Sequence, residues 1–227
     1  MKKGKVNIMP DYSNVLNHGV TSATPDKILL GAGTIHVGLE YTNGSWNFND
    51  TIFGATKGGS KVTITPEIYD PEIDGVNVKT KGISDIKTGE TAQMEVNFAE
   101  LTGELIKKLT LGKTGTSADS NMNLIEGKPQ IESGDYFEKF AFVGKTVTGK
   151  PIIVIFDYAI CTNGLGTDAQ NKSNSAISAT VECRADLSGG NLDVLPYHIY
   201  YPTETTTSSS SSGSSSSSSG SSSGTGN

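Results

Sequence analysis

The amino-acid sequence predicts a mainly β fold: a β-sandwich or barrel with one flanking α-helix, a long extended loop and flexible termini. Several segments alternate apolar and polar residues with a period of two, which is typical of half-buried strands. One segment in mid-chain changes to helical spacing, and both ends of the chain are poor in apolar residues. Antiparallel strands of this length with a single helix favour a packed or closed sheet.

Composition divides the 227 residues into an arm, a domain and a tail. Residues 1–25 mix turn formers with isolated apolar residues and contain two prolines, so we expect an extended N-terminal arm. Residues 26–201 hold the periodic segments and are long enough to bury a core. Residues 202–227 become a Ser/Gly run with nothing apolar to bury, which predicts a disordered tail.

Two strands are predicted early in the domain, on either side of a turn-rich stretch that contains several aromatic residues. Residues 27–40 form the first, with a centre softened by glycine, and residues 61–68 form the second, with a clean alternation. Pro66 has no N–H to donate, so we expect the second strand to lie at a sheet edge or to be interrupted there.

A third strand runs directly into the single predicted helix. Residues 91–98 alternate cleanly, and the apolar residues that follow fall at helical spacing over about 99–110. Glu104 stands four residues before Lys108, which favours a helical pair, and Gly112 suits the helix end.

Three strands are predicted late in the chain, over residues 137–147, 150–161 and 177–184. The first two are joined by a short turn that favours a hairpin. Residues 150–161 are apolar except for Asp157, as expected of a central strand covered on both faces. A single carboxylate without a partner carboxylate is interpreted as a hydrogen-bonded structural group.

The two cysteines are predicted to be free thiols. If the last two strands form a hairpin centred near residue 168, Cys161 lies opposite Ala176 and Cys183 lies opposite Val154. That register separates the two sulfur atoms too far for a disulfide.

The charge balance argues against sequence-specific nucleic-acid binding, because the net charge is −6 and Arg184 is the one arginine. No run approaches the length of a transmembrane helix, so no membrane partner is expected. The basic start of the chain is not followed by an apolar run, which argues against a secretory signal.

Two stretches come close to known ligand-binding loops without completing them. Gly54 and Gly59 are spaced as in a phosphate-binding loop, but Ser and Lys follow in reversed order and lead into a strand instead of a helix. Asp70, Glu72 and Asp74 begin like a calcium loop, but its twelfth position is Lys81. We therefore predict no metal and no cofactor, and we interpret the second stretch as an acidic loop tip.

No catalytic constellation is found, so the protein is predicted not to be an enzyme. His18, His36 and His198 each lack the neighbours of a nucleophile or metal centre. His36 occupies a polar strand position, and His198 lies in an aromatic cluster.

Four stretches in this order carry a resemblance to a known family: "GAGTIHVGL", "GATKGGSKVTITPEIYDPEIDG", the strand–helix junction "TAQMEVNFAELTGELIKKL" and "FDYAICTNGLGTDAQNKSNSAISATVECRADL". Over roughly residues 27–200 the chain resembles the tail tube, or major tail, proteins of long-tailed bacteriophages. The resemblance implies a virion protein, assembled in the host bacterial cytoplasm, that forms hexameric rings stacked into a hollow tube. It also implies tape measure, tail terminator and distal tail proteins as partners, with double-stranded DNA passing through the lumen without specific binding.

The resemblance further implies that a long loop, residues 41–82, reaches the neighbouring subunit and the next ring. Its proposed contact residues are aromatic anchors, a lysine and an acidic tip: Trp46, Phe48, Phe53, Lys57, Tyr69, Asp70, Glu72 and Asp74. Aromatic residues here suit a protein partner better than single-stranded nucleic acid, because no basic groove accompanies them. An acidic chain with a single arginine suits a lumen that does not grip DNA.

Two alternatives stay open. The tube protein of a contractile tail or of a phage-derived bacteriocin shares the same physical requirements. A β-sandwich surface adhesin or carbohydrate-binding module shares the strand pattern and polar loops, but would be expected to carry an export signal.

Overall fold

The structure is a computed structural model, described for residues 18–167, 176–189 and 192–203. It confirms a mainly β fold with one helix in the described chain. The strands are β1 (Leu29–His36), β2 (Tyr41–Thr42), β3 (Ser45–Trp46), β4 (Ile52–Gly54), β5 (Thr56–Tyr69), β6 (Ile86–Phe98), β7 (Lys113–Gly115), β8 (Leu124–Glu126), β9 (Phe137–Thr146), β10 (Pro151–Cys161), β11 (Gly166–Thr167), β12 (Ile177–Cys183) and β13 (Tyr197–Tyr200). The helix α1 is Gly103–Thr110, and three 3-10 turns are Thr24–Asp26, Ser133–Asp135 and Leu187–Gly189.

The main sheet is antiparallel and closes on itself as a barrel. Its strand order is β4-β1-β9-β10-β12-β6-β5, with β11 beside β12 and β13 beside β10. Only Ala55 separates β4 from β5, so the two ends of this order are one continuous stretch of chain. The Ala99 N–H donates to the Ala55 carbonyl oxygen at 2.8 Å and holds this junction against the end of β6. The alternatives of sandwich and barrel thus resolve to a barrel.

The barrel interior forms the larger of two apolar clusters. Phe98, Phe137, Phe140 and Phe156 are buried in it, and α1 covers one end with its buried leucines. The smaller cluster lies on the outer face of β9 and β10 and is made of Leu39, Ala141, Val143, Ile153 and Ile155. Because apolar residues pack on both faces of β9 and β10, these strands are central, as the apolar run in β10 predicts.

The helix begins four residues later than predicted. The Thr102 side-chain oxygen accepts the Leu105 N–H at 3.2 Å, so Thr102 is the N-cap and the residues before it are not helical. At the other end Leu111, with φ +51°, takes the left-handed position, and the Gly112 N–H donates to the Lys107 carbonyl oxygen. Lys108 does not form a salt bridge with Glu104, because its Nζ donates to two backbone carbonyls in the 134–136 turn and lies over the Phe137 ring.

The β9–β10 hairpin and the strand β12 are confirmed, but the register of β10 against β12 is not the predicted one. Cys161 lies opposite Val181, and Cys183 lies opposite Ala159. The difference arises because β11 turns back beside β12 and moves the centre of the connection beyond residue 168. Both cysteines are buried free thiols.

The predicted loop 41–82 is a loop only in part. Half of it is strand, because β5 is 14 residues long and forms a wall of the barrel. Two successive left-handed glycines, Gly58 (φ +86°) and Gly59 (φ +88°), bend β5 at a register shift before the alternating stretch begins. Pro66 on β5 lies opposite Glu90 on β6, in the part of β5 whose ladder partner is β6 alone, which confirms the expected edge position.

The predicted chain termini lie largely outside the described residues. Residues 1–17 of the N-terminal segment and residues 204–227 of the tail are not described. The described end of the N-terminal segment is not fully extended, because residues 24–26 form a 3-10 turn with Pro25 in its first positions.

Candidate functional site

The distal halves of β5 and β6 leave the barrel together as a two-stranded projection. The β6 ladder with β12 ends at the Gln93–Glu182 pair, whereas its ladder with β5 continues to the pair Tyr69–Ile86. Residues 65–91, comprising these strand ends and the loop between them, are called the arm. Within the described chain, the arm's strands have ladder partners only in each other.

The arm exposes large apolar side chains on both of its faces. Ile68 and Tyr69 are consecutive, point to opposite faces and are 61% and 55% exposed. Five further side chains on the arm are also exposed: Ile73, Val76, Val78, Ile83 and Ile86. Large apolar side chains exposed in this number on one short projection mark an interaction site, and a two-stranded ribbon alone is only marginally stable in water. The arm is therefore the principal candidate site.

The loop at the end of the arm is folded into two turns. The Val76 N–H donates to the Ile73 carbonyl at 3.0 Å, and the Ser84 N–H donates to the Thr80 carbonyl at 2.9 Å. The Thr80 N–H returns a bond to the Ser84 Oγ at 3.0 Å, and Ser84 is buried. These bonds give the tip a defined shape that a partner surface can match.

Glu90 fastens the base of the arm to the C-terminal part of the domain. Its carboxylate accepts from Lys87 Nζ at 2.7 Å, from the Leu195 N–H at 3.3 Å and from the Tyr197 hydroxyl at 3.4 Å. The hydrogen bond from Lys87, aided by the other two donors, holds the pKa of Glu90 below its ordinary value. A largely buried carboxylate with three donors fixes the direction in which the arm leaves the barrel.

The predicted contact residues separate into two groups. Tyr69, Asp70, Glu72 and Asp74 lie together on the arm, and Lys57 lies exposed at the start of β5. The apolar residues of the tip are not among the predicted contact residues. Their signal is present in the sequence, since Ile73, Val76, Val78 and Ile83 are apolar residues within an otherwise polar, glycine-containing loop.

The three predicted aromatic anchors do not lie on the arm. Trp46 and Phe48 pack over the outer cluster of their own molecule, and Phe53 makes edge contacts with Phe98 and Phe137 at 5.9 and 5.4 Å between ring centroids. Residues 41–54 therefore fold back onto their own barrel instead of reaching outwards. The reason is that the outer faces of β9 and β10 are themselves apolar, so burial within the chain satisfies these rings.

A second feature is a cleft of about 370 Å³ between β3, β10 and β13, lined by Trp46, Tyr200, Tyr41 and a charged cluster. Asp157 accepts from Lys139 Nζ at 2.8 Å and lies 3.1 Å from His198 Nε2. Burial alone raises the pKa of Asp157, but these two hydrogen bonds outweigh it, and the pKa lies below its ordinary value. Asp157 is thus a hydrogen-bonded structural group, as predicted.

His36 is buried, although its place in the alternation predicted a polar strand position. Its two ring nitrogens lie 2.8 Å from Thr34 Oγ1 and 2.9 Å from Thr51 Oγ1. Burial lowers the pKa of His36, which favours the neutral ring that these two hydroxyls can satisfy.

Among the described residues, no cluster of three or more His, Cys, Asp or Glu side chains could hold a metal ion. No helix in the same part of the chain has the length and apolar character needed to cross a membrane. No protein-family model matches the chain, and no curated protein sequence matches it.

Proposed function

We propose that this chain is a structural virion protein that polymerises as stacked hexameric rings into the tail tube of a long-tailed bacteriophage. The tube is the conduit through which double-stranded DNA enters the host. The observation that carries the proposal is the arm, a projection whose apolar side chains have no cover within the described part of its own chain. The sequence resemblance supplies the kind of assembly in which such an arm is completed by other copies.

Covering the apolar surface of the arm favours association. Covering the exposed half of a Val, Ile or Tyr side chain contributes about 1 kcal/mol. The seven exposed apolar residues of the arm together contribute on the order of 7 kcal/mol. Each copy in a ring gives one arm and receives another, so these contributions add around a closed assembly.

The charge of the chain suits a conduit for DNA. The net charge of −6 disfavours tight phosphate contacts. Arg184 is already engaged, because its guanidinium donates to Glu182 Oε2 at 2.7 Å and to the Cys183 carbonyl at 3.0 Å. DNA passing such a surface meets like charge and little that holds it.

Shortening the arm tests the proposal. Tyr69 and Ile86 are directly paired, so an Asn-Gly turn in place of residues 70–85 closes the ribbon with a favoured two-residue hairpin. The full chain is expected to form hollow tubes in negative-stain micrographs, and the shortened chain is expected to remain monomeric with an unchanged circular dichroism spectrum. Tubes formed equally well by the shortened chain would contradict the proposal, as would a full chain that stays monomeric at every concentration.

The cleft beside Trp46 favours the carbohydrate-binding module as the second candidate function. Aromatic rings beside a carboxylate, a lysine and a histidine can stack on and hydrogen-bond to a hydroxyl-rich ligand. Trp46 is the only tryptophan in the chain, so its fluorescence reports directly on this cleft. Saturable quenching by an oligosaccharide, absent in the Tyr200→Ala variant, would favour this candidate over the tube protein.

A further inference from the structure

A second exposed apolar surface lies where the start of β1 meets the β9–β10 turn. Ile28, Leu29, Leu30 and Val147 are 48%, 46%, 60% and 49% exposed. Ile28, Leu30 and Val147 share one face of the ladder, because the Val147 N–H donates to the Ile28 carbonyl at 3.0 Å and Leu30 is paired with Lys145. Leu29 points to the other face, opposite Thr146. Residues 26–30 and 145–150 are called the turn patch. Its backbone is held in a ladder, so it presents a firm surface.

The charges of the arm and of the turn patch are opposite. Residues 70–85 of the arm carry four carboxylates and two lysines, a net charge of −2. The turn patch carries three lysines and one aspartate, a net charge of +2. That aspartate, Asp26, accepts from Lys150 Nζ at 3.1 Å, and Lys145 lies exposed at the rim of the patch. An acidic, apolar arm is thus complementary to a lysine-rimmed apolar patch.

The arm and the turn patch lie at the same end of the barrel. The arm leaves at the N-terminal end of β6, and each neighbour in the order β6-β12-β10-β9-β1 is antiparallel to the one before it. The N-terminal ends of β10 and β1 therefore point the same way as the arm. When the copies share one orientation, as in a ring, an arm that contacts the turn patch of another copy joins molecules side by side.

The apolar surface at the opposite end of the barrel is a poorer match. Leu101, Met122 and Leu124 are exposed there, around α1 and the β7–β8 hairpin. Residues 100–126 carry four carboxylates and three lysines, a net charge of −1. This surface repels an acidic arm tip, so charge selects the turn patch over it.

We infer that the arm of one copy docks on the turn patch of a second copy, with Glu72 and Asp74 directed at Lys145 and its neighbours. The inference rests on the proposed self-assembly and names the surface that receives the arm. The contact is heterologous, because two different surfaces meet, and repetition around a symmetry axis closes it into a ring.

Complementation between two defective variants tests the inference. The shortened-arm chain keeps its turn patch, and the Leu30→Glu/Val147→Glu variant keeps its arm but carries charge in the middle of the patch. Each variant alone is expected to be monomeric in native mass spectrometry. Their equimolar mixture is expected to give a 1:1 dimer, since one intact arm meets one intact patch. Met122→Asp, at the opposite end, is the matched control and is expected to form rings like the unmodified chain.

Two results separate this inference from the proposed function. If the unmodified chain forms rings and the patch variant forms them equally well, the turn patch is not the acceptor and self-assembly stands. If the unmodified chain forms no oligomer, self-assembly itself fails.

Should the patch variant lose its fold, Lys145→Glu decides instead, because it changes only the rim. It is expected to weaken ring formation about two- to fivefold, and the added Glu72→Lys/Asp74→Lys pair is expected to restore it; no weakening would overturn the inference.

Discussion

Glu90 links the barrel to its projecting arm through a single side chain. Its side chain is 5% exposed and meets donors from three places: its own strand, the segment before β13, and β13 itself. Glu95, five residues later on the same strand, is 44% exposed and pairs with the exposed Lys61. The two carboxylates therefore have the same chemistry but contribute very differently to the free energy of unfolding.

Replacing Glu90 with Ala is expected to lower the free energy of unfolding by about 1–3 kcal/mol, because three donors lose their acceptor. Glu95→Ala is the matched control and is expected to change it by less than about 1 kcal/mol. Urea titrations of both variants at pH 7 make the comparison. Equal effects from the two substitutions would contradict the role assigned to Glu90.

The pH dependence of this effect has a defined sign. The pKa of Glu90 is lowered in the folded chain, mainly by Lys87, so its contribution is present above the ordinary pKa of about 4.5. That contribution is lost as the pH falls through the lower, folded-state value. The stability difference between the unmodified chain and Glu90→Ala is therefore expected to shrink between pH 5 and pH 3, and a difference that grows on acidification would contradict this assignment.

At the scale of elements, alternation in the sequence predicted the strands that have one buried face. Residues 91–98 and 177–184 were recognised for this reason, and β6 and β12 bury alternate side chains there. The β2–β3 hairpin was missed although its signal is strong, since Asn43 and Gly44 both take positive φ in a two-residue turn. Very short strands such as β4 carry too few residues for a period to be seen.

The start of α1 shows what periodicity alone does not reveal. Leu101 is in phase with the helix, which is why the predicted helix begins too early, yet the Thr102 cap places it outside and leaves it 51% exposed. Thr102→Ala is expected to destabilise the domain by about 1 kcal/mol, measured by thermal unfolding. Thr110→Ala, at the other end of α1, is the control; if it costs as much as Thr102→Ala, the cap does not set the helix start.

At the scale of the whole molecule, part of the candidate site was predictable and part was not. The acidic tip and Tyr69 lie on the arm, where turn formers and charge in the sequence indicate exposed chain. Trp46, Phe48 and Phe53 were placed on the same segment, but they pack on their own barrel. The sequence shows that an aromatic ring is apolar, whereas only the fold shows whether residues of the same chain bury it.

The barrel and the arm differ in how far their apolar side chains are buried within the chain. The barrel closes through the continuous β4–β5 stretch and buries its own core, whereas the arm leaves seven large apolar side chains exposed. We propose that another copy covers the arm and so completes the apolar packing of the molecule. This incompleteness is the physical basis for the proposed tube.

Cryo-electron microscopy of the purified full-length chain tests this claim most directly. If the chain is a tail tube protein, we expect a hollow tube with six barrels in each layer and every arm covered by a neighbouring copy. A single molecule whose arm lies against its own barrel, with no sixfold contacts, would contradict it.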